Sequence, residues 1–208
     1  LVRHPPLASQ SQSDVCLELT DYAPATSRAV VRSPSDSRIV PIPAMKLSFM
    51  AIPQVAPRKN LLAFDHGERL ELYRLPSLVM HQAFDLPGHD IANMSFSLSG
   101  NQLVVETRQD ECILFAAVPS TNDYQQQASW PVNYYQVSPR FSPDERLLYQ
   151  FDIERQSGRR VIVERDLATG TATRTFPATD LRDFCLSPSG RLLAIAARGG
   201  LQIYDLQE

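Results

Sequence analysis

Apolar positions along the chain come in short bursts separated by turn-forming residues, and four of these bursts share one layout. Phe141-Ser142-Pro143-Asp144-Glu145-Arg146-Leu147-Leu148 and Leu186-Ser187-Pro188-Ser189-Gly190-Arg191-Leu192-Leu193 are near copies of each other. Phe96-Ser97-Leu98-Ser99-Gly100-Asn101-Gln102-Leu103 is a third copy, and Val55-Ala56-Pro57-Arg58-Lys59-Asn60-Leu61-Leu62 a weaker fourth. Each is a tight turn between two apolar stretches: Pro presets φ, Asp or Ser bonds back to the backbone, and Gly tolerates positive φ. Before the turn, apolar residues alternate, as with Met94 and Phe96 or Phe184 and Leu186, which is the two-residue period of a strand. After it come residues 61–64, 103–105, 147–151 and 192–196, nearly continuous apolar runs of the kind buried on both faces.

A second turn follows each run: Asp65-His66-Gly67-Glu68, Arg108-Gln109-Asp110-Glu111, Arg155-Gln156-Ser157-Gly158 and Arg198-Gly199-Gly200. These turns lead into strands expected over 70–73, 112–115, 161–164 and 201–204. Further strands are read at 79–84 and 173–176 and, between the second and third copies, near 129–135. The copies begin at residues 55, 96, 141 and 186, 41 to 45 residues apart. Four strands within such a period make one blade of a β-propeller. HEAT-type helical repeats share the period, but no window of comparable length carries a helical stripe. The pattern therefore predicts an all-β chain with about four antiparallel, four-stranded blades, part of a larger or incomplete propeller.

With these motifs the chain resembles the WD-repeat β-propellers. Gly88-His89, just before the strand of Met94 and Phe96, looks like that family's Gly-His entry to a blade. Tyr204-Asp205 looks like its Trp-Asp exit with Tyr in place of Trp, and Arg165-Asp166 also fits an exit. The resemblance implies a structural role for Gly88, His89, Asp110, Tyr204 and Asp205, with His89 and Asp110 supplying half of the family's buried His–Asp–Trp network. It covers residues 47–208, expected as the blade domain. Residues 1–46 are rich in Pro and Ser and are expected to be partly disordered, above all over 1–14, or to supply a closing strand from one of the strand-like pieces at 15–19, 29–32 and 38–42. The family's members implied here are non-catalytic scaffolds that bind proteins or peptides, the rest of a larger propeller being one such partner.

Composition narrows the chemistry. A net charge of −3 offers no broad basic face for nucleic acid. No run reaches the length of an apolar helix that spans a bilayer, so neither nucleic acid nor membrane is expected as a partner. Cys16, Cys112 and Cys185 are odd in number and widely spaced, which suggests neither a disulfide framework nor a CxxC metal site and points to a reducing, cytoplasmic setting. The four histidines lack metal-ligand spacing, and neither a phosphate loop nor a GxSxG elbow is present. No catalytic residue, metal or cofactor is expected, although a propeller enzyme or ligand sensor of the lactonase or quinoprotein kind, or an accessory segment of a multidomain protein, stands as the alternative. The best candidate partner site is the long connection over 119–139, where Trp130, Tyr134 and Tyr135 cluster, because aromatic residues on long loops are frequent binding anchors. The competing reading for Trp130 is packing between blades.

Overall fold

The structure, a computed structural model, describes residues 16–19, 28–33, 36–41, 53–75, 77–133 and 137–207. The chain divides into two units, Leu1–Lys46 and Leu47–Glu208. In the first, β1 (Cys16–Leu19), β2 (Arg28–Ser33) and β3 (Asp36–Pro41) form an antiparallel sheet in chain order. These are the strands expected at 15–19, 29–32 and 38–42; residues 1–14, 15 and 42 lie outside the described ones.

The second unit is a row of propeller blades. The first blade is β4 (Gln54–Ala56), β5 (Leu61–Asp65), β6 (Arg69–Arg74) and β7 (Val79–Asp85). The second is β8 (Ile91–Phe96), β9 (Gln102–Thr107), β10 (Glu111–Ala117) and β11 (Tyr124–Pro131). The third is β12 (Arg140–Phe141), β13 (Leu147–Ile153), β14 (Arg160–Asp166) and β15 (Ala172–Pro177). The last blade has three strands, β16 (Leu181–Leu186), β17 (Leu192–Ala197) and β18 (Gly200–Asp205). Each sheet is antiparallel with its strands in chain order, and the first strands β4, β8 and β12 lie side by side.

Strand alternation tells each residue which neighbour to meet. From the second blade, Leu103, Val105, Ile113 and Phe115 pack towards the first, whereas Val104, Cys112 and Leu114 pack towards the third. From the third blade, Leu148 packs back on the second, whereas Tyr149, Phe151 and Ile162 meet Phe184, Leu193 and Ile195 of the last. Burial of each large apolar side chain contributes about 1.5–3 kcal/mol, so the seams between sheets hold the row together.

The fourth strands repeat in detail. Pairing of the third and fourth strands slips by one residue between Leu72 and Tyr73, Leu114 and Phe115, and Glu164 and Arg165, leaving His81, Gln127 and Thr173 as bulged residues. Three positions beyond each bulge an aromatic residue faces the third strand: Phe84 opposite Leu70, Trp130 opposite Cys112, Phe176 opposite Ile162. Two residues further on, the backbone N–H of Leu86, Val132 and Ala178 donates to the carbonyl of Glu68, Asp110 and Arg160, at 2.7, 2.9 and 2.9 Å.

One sequence expectation needs correction. The strand expected near 129–135 is β11, Tyr124–Pro131, which starts several residues earlier. It is an outer strand whose Gln125-Gln126-Gln127 run is exposed, so it lacks the apolar density of an inner strand.

The turns named by the repeat also touch one another. Gly100 has φ 75°, and a Cβ there would stand 2.7 Å from Lys59 Cγ and 3.1 Å from Ala56 Cβ of the preceding blade. Gly190 has φ 72°, and its Cβ would stand 2.9 Å from Pro143 Cδ. In the third copy Glu145 takes the positive φ, 60°, and its carboxylate accepts hydrogen bonds from the backbone N–H and hydroxyl of Ser99. Gly100→Ala is expected to cost about 2–3 kcal/mol, because overpacking adds to the left-handed strain. Gly88→Ala, at φ 77° with open space around it, should cost only about 1 kcal/mol. Urea midpoints for the two variants measure the difference, and equal losses would count against the turn-on-turn contact.

Candidate interaction surface

A buried polar seam joins the second and third blades. Trp130 is 6% exposed, and its indole N–H donates to Gln150 Oε1 at 2.8 Å. Gln150 in turn donates to Glu106 Oε1 at 3.0 Å, and Asn93 donates to Glu106 Oε2 at 3.2 Å. The Arg165 guanidinium lies 5.0 Å from the Trp130 ring centroid, a cation–π distance. Loss of water pushes the Glu106 carboxyl up to about 8, against the opposing pull of the Asn93 and Gln150 hydrogen bonds. Asp65 holds the equivalent place in the first blade; burial raises it to about 6, although the Gly67 N–H bonds its Oδ1 at 2.5 Å. Pattern reading missed this seam. Its only trace in the sequence is the pair of polar residues, Glu106 and Gln150, set into otherwise apolar strands.

The residues singled out in the sequence scatter over several sites. Trp130, expected on a loop, stands in β11 and packs in the seam with Cys112, Leu114 and Leu148. Its indole is thus unavailable as an exposed anchor, and the surface expectation for it is corrected. Tyr134 and Tyr135 lie outside the described residues. The expected His89–Asp110 pair is also corrected: His89 Nδ1 stands 3.3 Å from Glu111 Oε2, off the line of a hydrogen bond, and its side chain is partly exposed. Asp110 is an exposed turn residue at φ 59° whose carbonyl receives the Val132 N–H. Gly88 takes a positive φ in the connection that leads to β8. Tyr204 packs on Phe176 across the last seam, with centroids 5.2 Å apart, and Asp205 pairs with Arg191 at 2.7 Å. Among the described residues no three His, Cys, Asp or Glu side chains converge as a metal site, and no helix is long and apolar enough to cross a membrane.

The far side of the last blade is different from every other seam. Leu201 pairs with Ala196, and Ile203 with Ala194, the places held in the second blade by Cys112 opposite Glu106 and Leu114 opposite Val104. Cys112 is 0% and Leu114 4% exposed, whereas Leu201 is 65%, Ile203 61% and Leu192 38% exposed. The third blade buries its own residues at these places, Ile162 and Glu164. Glu164 is kept ionised there despite burial, because Arg174, Tyr149 and Thr173 all donate to it. The row of blades is therefore open at this end, with an apolar sheet face in water.

No protein-family model and no curated protein matches the chain. Among solved structures it is similar to the β-propeller domain of Cps50 (Swd1) from Myceliophteria thermophila, with a TM-score of 0.62 at 12% identity. The match covers 87% of this chain and 64% of that one, so the chain spans less than two thirds of the domain's length. Similarity at this identity concerns the fold.

The seam gives a pH signature. Glu106 is raised in the folded state, so its contribution is present at low pH and is lost as pH rises towards about 8. Across pH 6.5–8, above the range of Asp65, stability should fall by up to about 1.4 kcal/mol per pH unit from this group. Glu106→Gln removes the titration and should flatten that slope in urea melts. An unchanged slope would show that Glu106 does not hold its proton. Trp130→Ala should cost about 3–5 kcal/mol in the same assay.

Proposed function

We propose that this chain is a non-catalytic protein-interaction scaffold of the WD-repeat propeller type, working on proteins or peptides in a reducing, cytoplasmic compartment. Fold alone does not assign a function, so the reading rests chiefly on one surface. The apolar face bearing Leu192, Leu201 and Ile203 is exposed on a rigid stack of sheets, and exposed apolar patches on ordered elements are where proteins meet. The similarity to another propeller domain supports the architecture. The free thiols of Cys112 and Cys185 support the compartment. The degenerate motifs Gly88-His89 and Tyr204-Asp205 support the family assignment.

Two measurements on the purified chain test the reading. Cross-linking in cell extract followed by mass spectrometry should give reproducible cross-links from residues 181–205 to a small set of proteins. Native mass spectrometry with elemental analysis should find no stoichiometric small ligand. Stoichiometric calcium or a bound quinone would transfer the chain to the propeller enzymes and sink the scaffold reading.

A further inference from the structure

The three complete blades specify what fits against the incomplete one. In each, a fourth strand runs antiparallel to the third, bulges at His81, Gln127 or Thr173, and places Phe84, Trp130 or Phe176 opposite Leu70, Cys112 or Ile162. Two residues later a buried aliphatic residue, Leu86, Val132 or Ala178, donates its N–H to a carbonyl two positions before the opposed third-strand residue. In the last blade the counterpart of Leu70, Cys112 and Ile162 is Leu201, and the counterpart of the accepting carbonyl is that of Gly199. Among the described residues no strand pairs with the outer edge of β18, and Leu201 beside it stands in solvent.

We infer that the outer edge of β18 is a docking site for an extended peptide segment of a partner protein, bound as an antiparallel fourth strand with an aromatic residue opposite Leu201 and a small or branched aliphatic residue two positions on. This is strand addition, in which backbone hydrogen bonds supply affinity and alternate side chains supply selection. The aromatic ring covers Leu201 as Phe176 covers Ile162, and the N–H two residues on donates to the Gly199 carbonyl. Each described strand of this chain already belongs to one of five sheets. A second copy therefore has no described strand to lend without dismantling a sheet, and the segment comes from a different protein. The inference rests on the scaffold reading and specifies the kind of partner.

The chain carries its own probe. A fluorescently labelled synthetic peptide with the sequence of residues 171–179, Thr171-Ala172-Thr173-Arg174-Thr175-Phe176-Pro177-Ala178-Thr179, already has the required bulge, aromatic and aliphatic positions. Titrated with the purified chain, it should bind saturably by fluorescence anisotropy. A peptide carrying Phe176→Ser should bind at least about tenfold more weakly, as for loss of an aromatic anchor. In the chain, Leu201→Arg should weaken binding by a similar factor. Leu201 is exposed, so the substitution spares the core, and circular dichroism of the variant checks this. Ile203→Ala is a second, milder variant that should weaken binding less. Peptide binding should also slow amide exchange in β18.

Absence of saturable binding, or binding indifferent to both Phe176→Ser and Leu201→Arg, would overturn the inference. Concentration-dependent self-association abolished by Leu201→Arg, without peptide binding, would assign the edge to a second copy and overturn it as well. Cross-links to partner proteins that survive Leu201→Arg and map elsewhere on the blades would leave the scaffold reading standing while removing this site.

Discussion

A blade sheet has two apolar faces, and its neighbours in the row are what cover them. That constraint orders the second unit. Because successive side chains point to opposite faces, Val104 belongs to one seam and Val105 to the other, although they are adjacent in the chain. The runs of Leu, Val and Phe in β5, β9 and β13 follow from it, since an inner strand has no wet side to spend on polar residues. The outermost strands, with more solvent around them, carry the glutamines of β11 and the threonines of β15.

This constraint also explains what was legible in the sequence. Inner strands are read well because apolar density, the Ser-Pro turns and the repeat period all agree on them. β11 was placed too late because Trp130 stood out, while Tyr124, buried at the other end of the strand, was hidden behind three glutamines. The polar seam was not legible. Glu106 and Gln150 lie more than forty positions apart and meet only once two blades are stacked. His89 was matched to Asp110 through family motif positions, but the turn directs Glu111 towards the imidazole instead. The uncovered face of the last blade was equally hidden, since Leu201 and Ile203 read like any inner-strand pair and only stacking separates them from Cys112 and Leu114.

Polar groups in the seams are stabilising only as complete sets. The Glu164 carboxylate is met by Arg174, Tyr149 and Thr173 and holds its charge between the third and last blades. Glu106 has only amide donors at hand, and the proton it keeps is the cheaper answer to burial. Two buried glutamates thus adopt opposite states according to whether a cation stands beside them. Both restrict how neighbouring blades align, because a slide of one residue would strand them without partners.

The contact between successive repeat turns has a consequence for how the protein can change over time. Lys59 under Gly100 and Pro143 under Gly190 fix the distance from one blade to the next, so lengthening these turns would pry a seam apart. The second turn of each blade, such as 155–158, has no such neighbour around Gly158. Insertions and drift should therefore collect there, and a lineage could acquire new loops at those turns without disturbing the pitch of the stack.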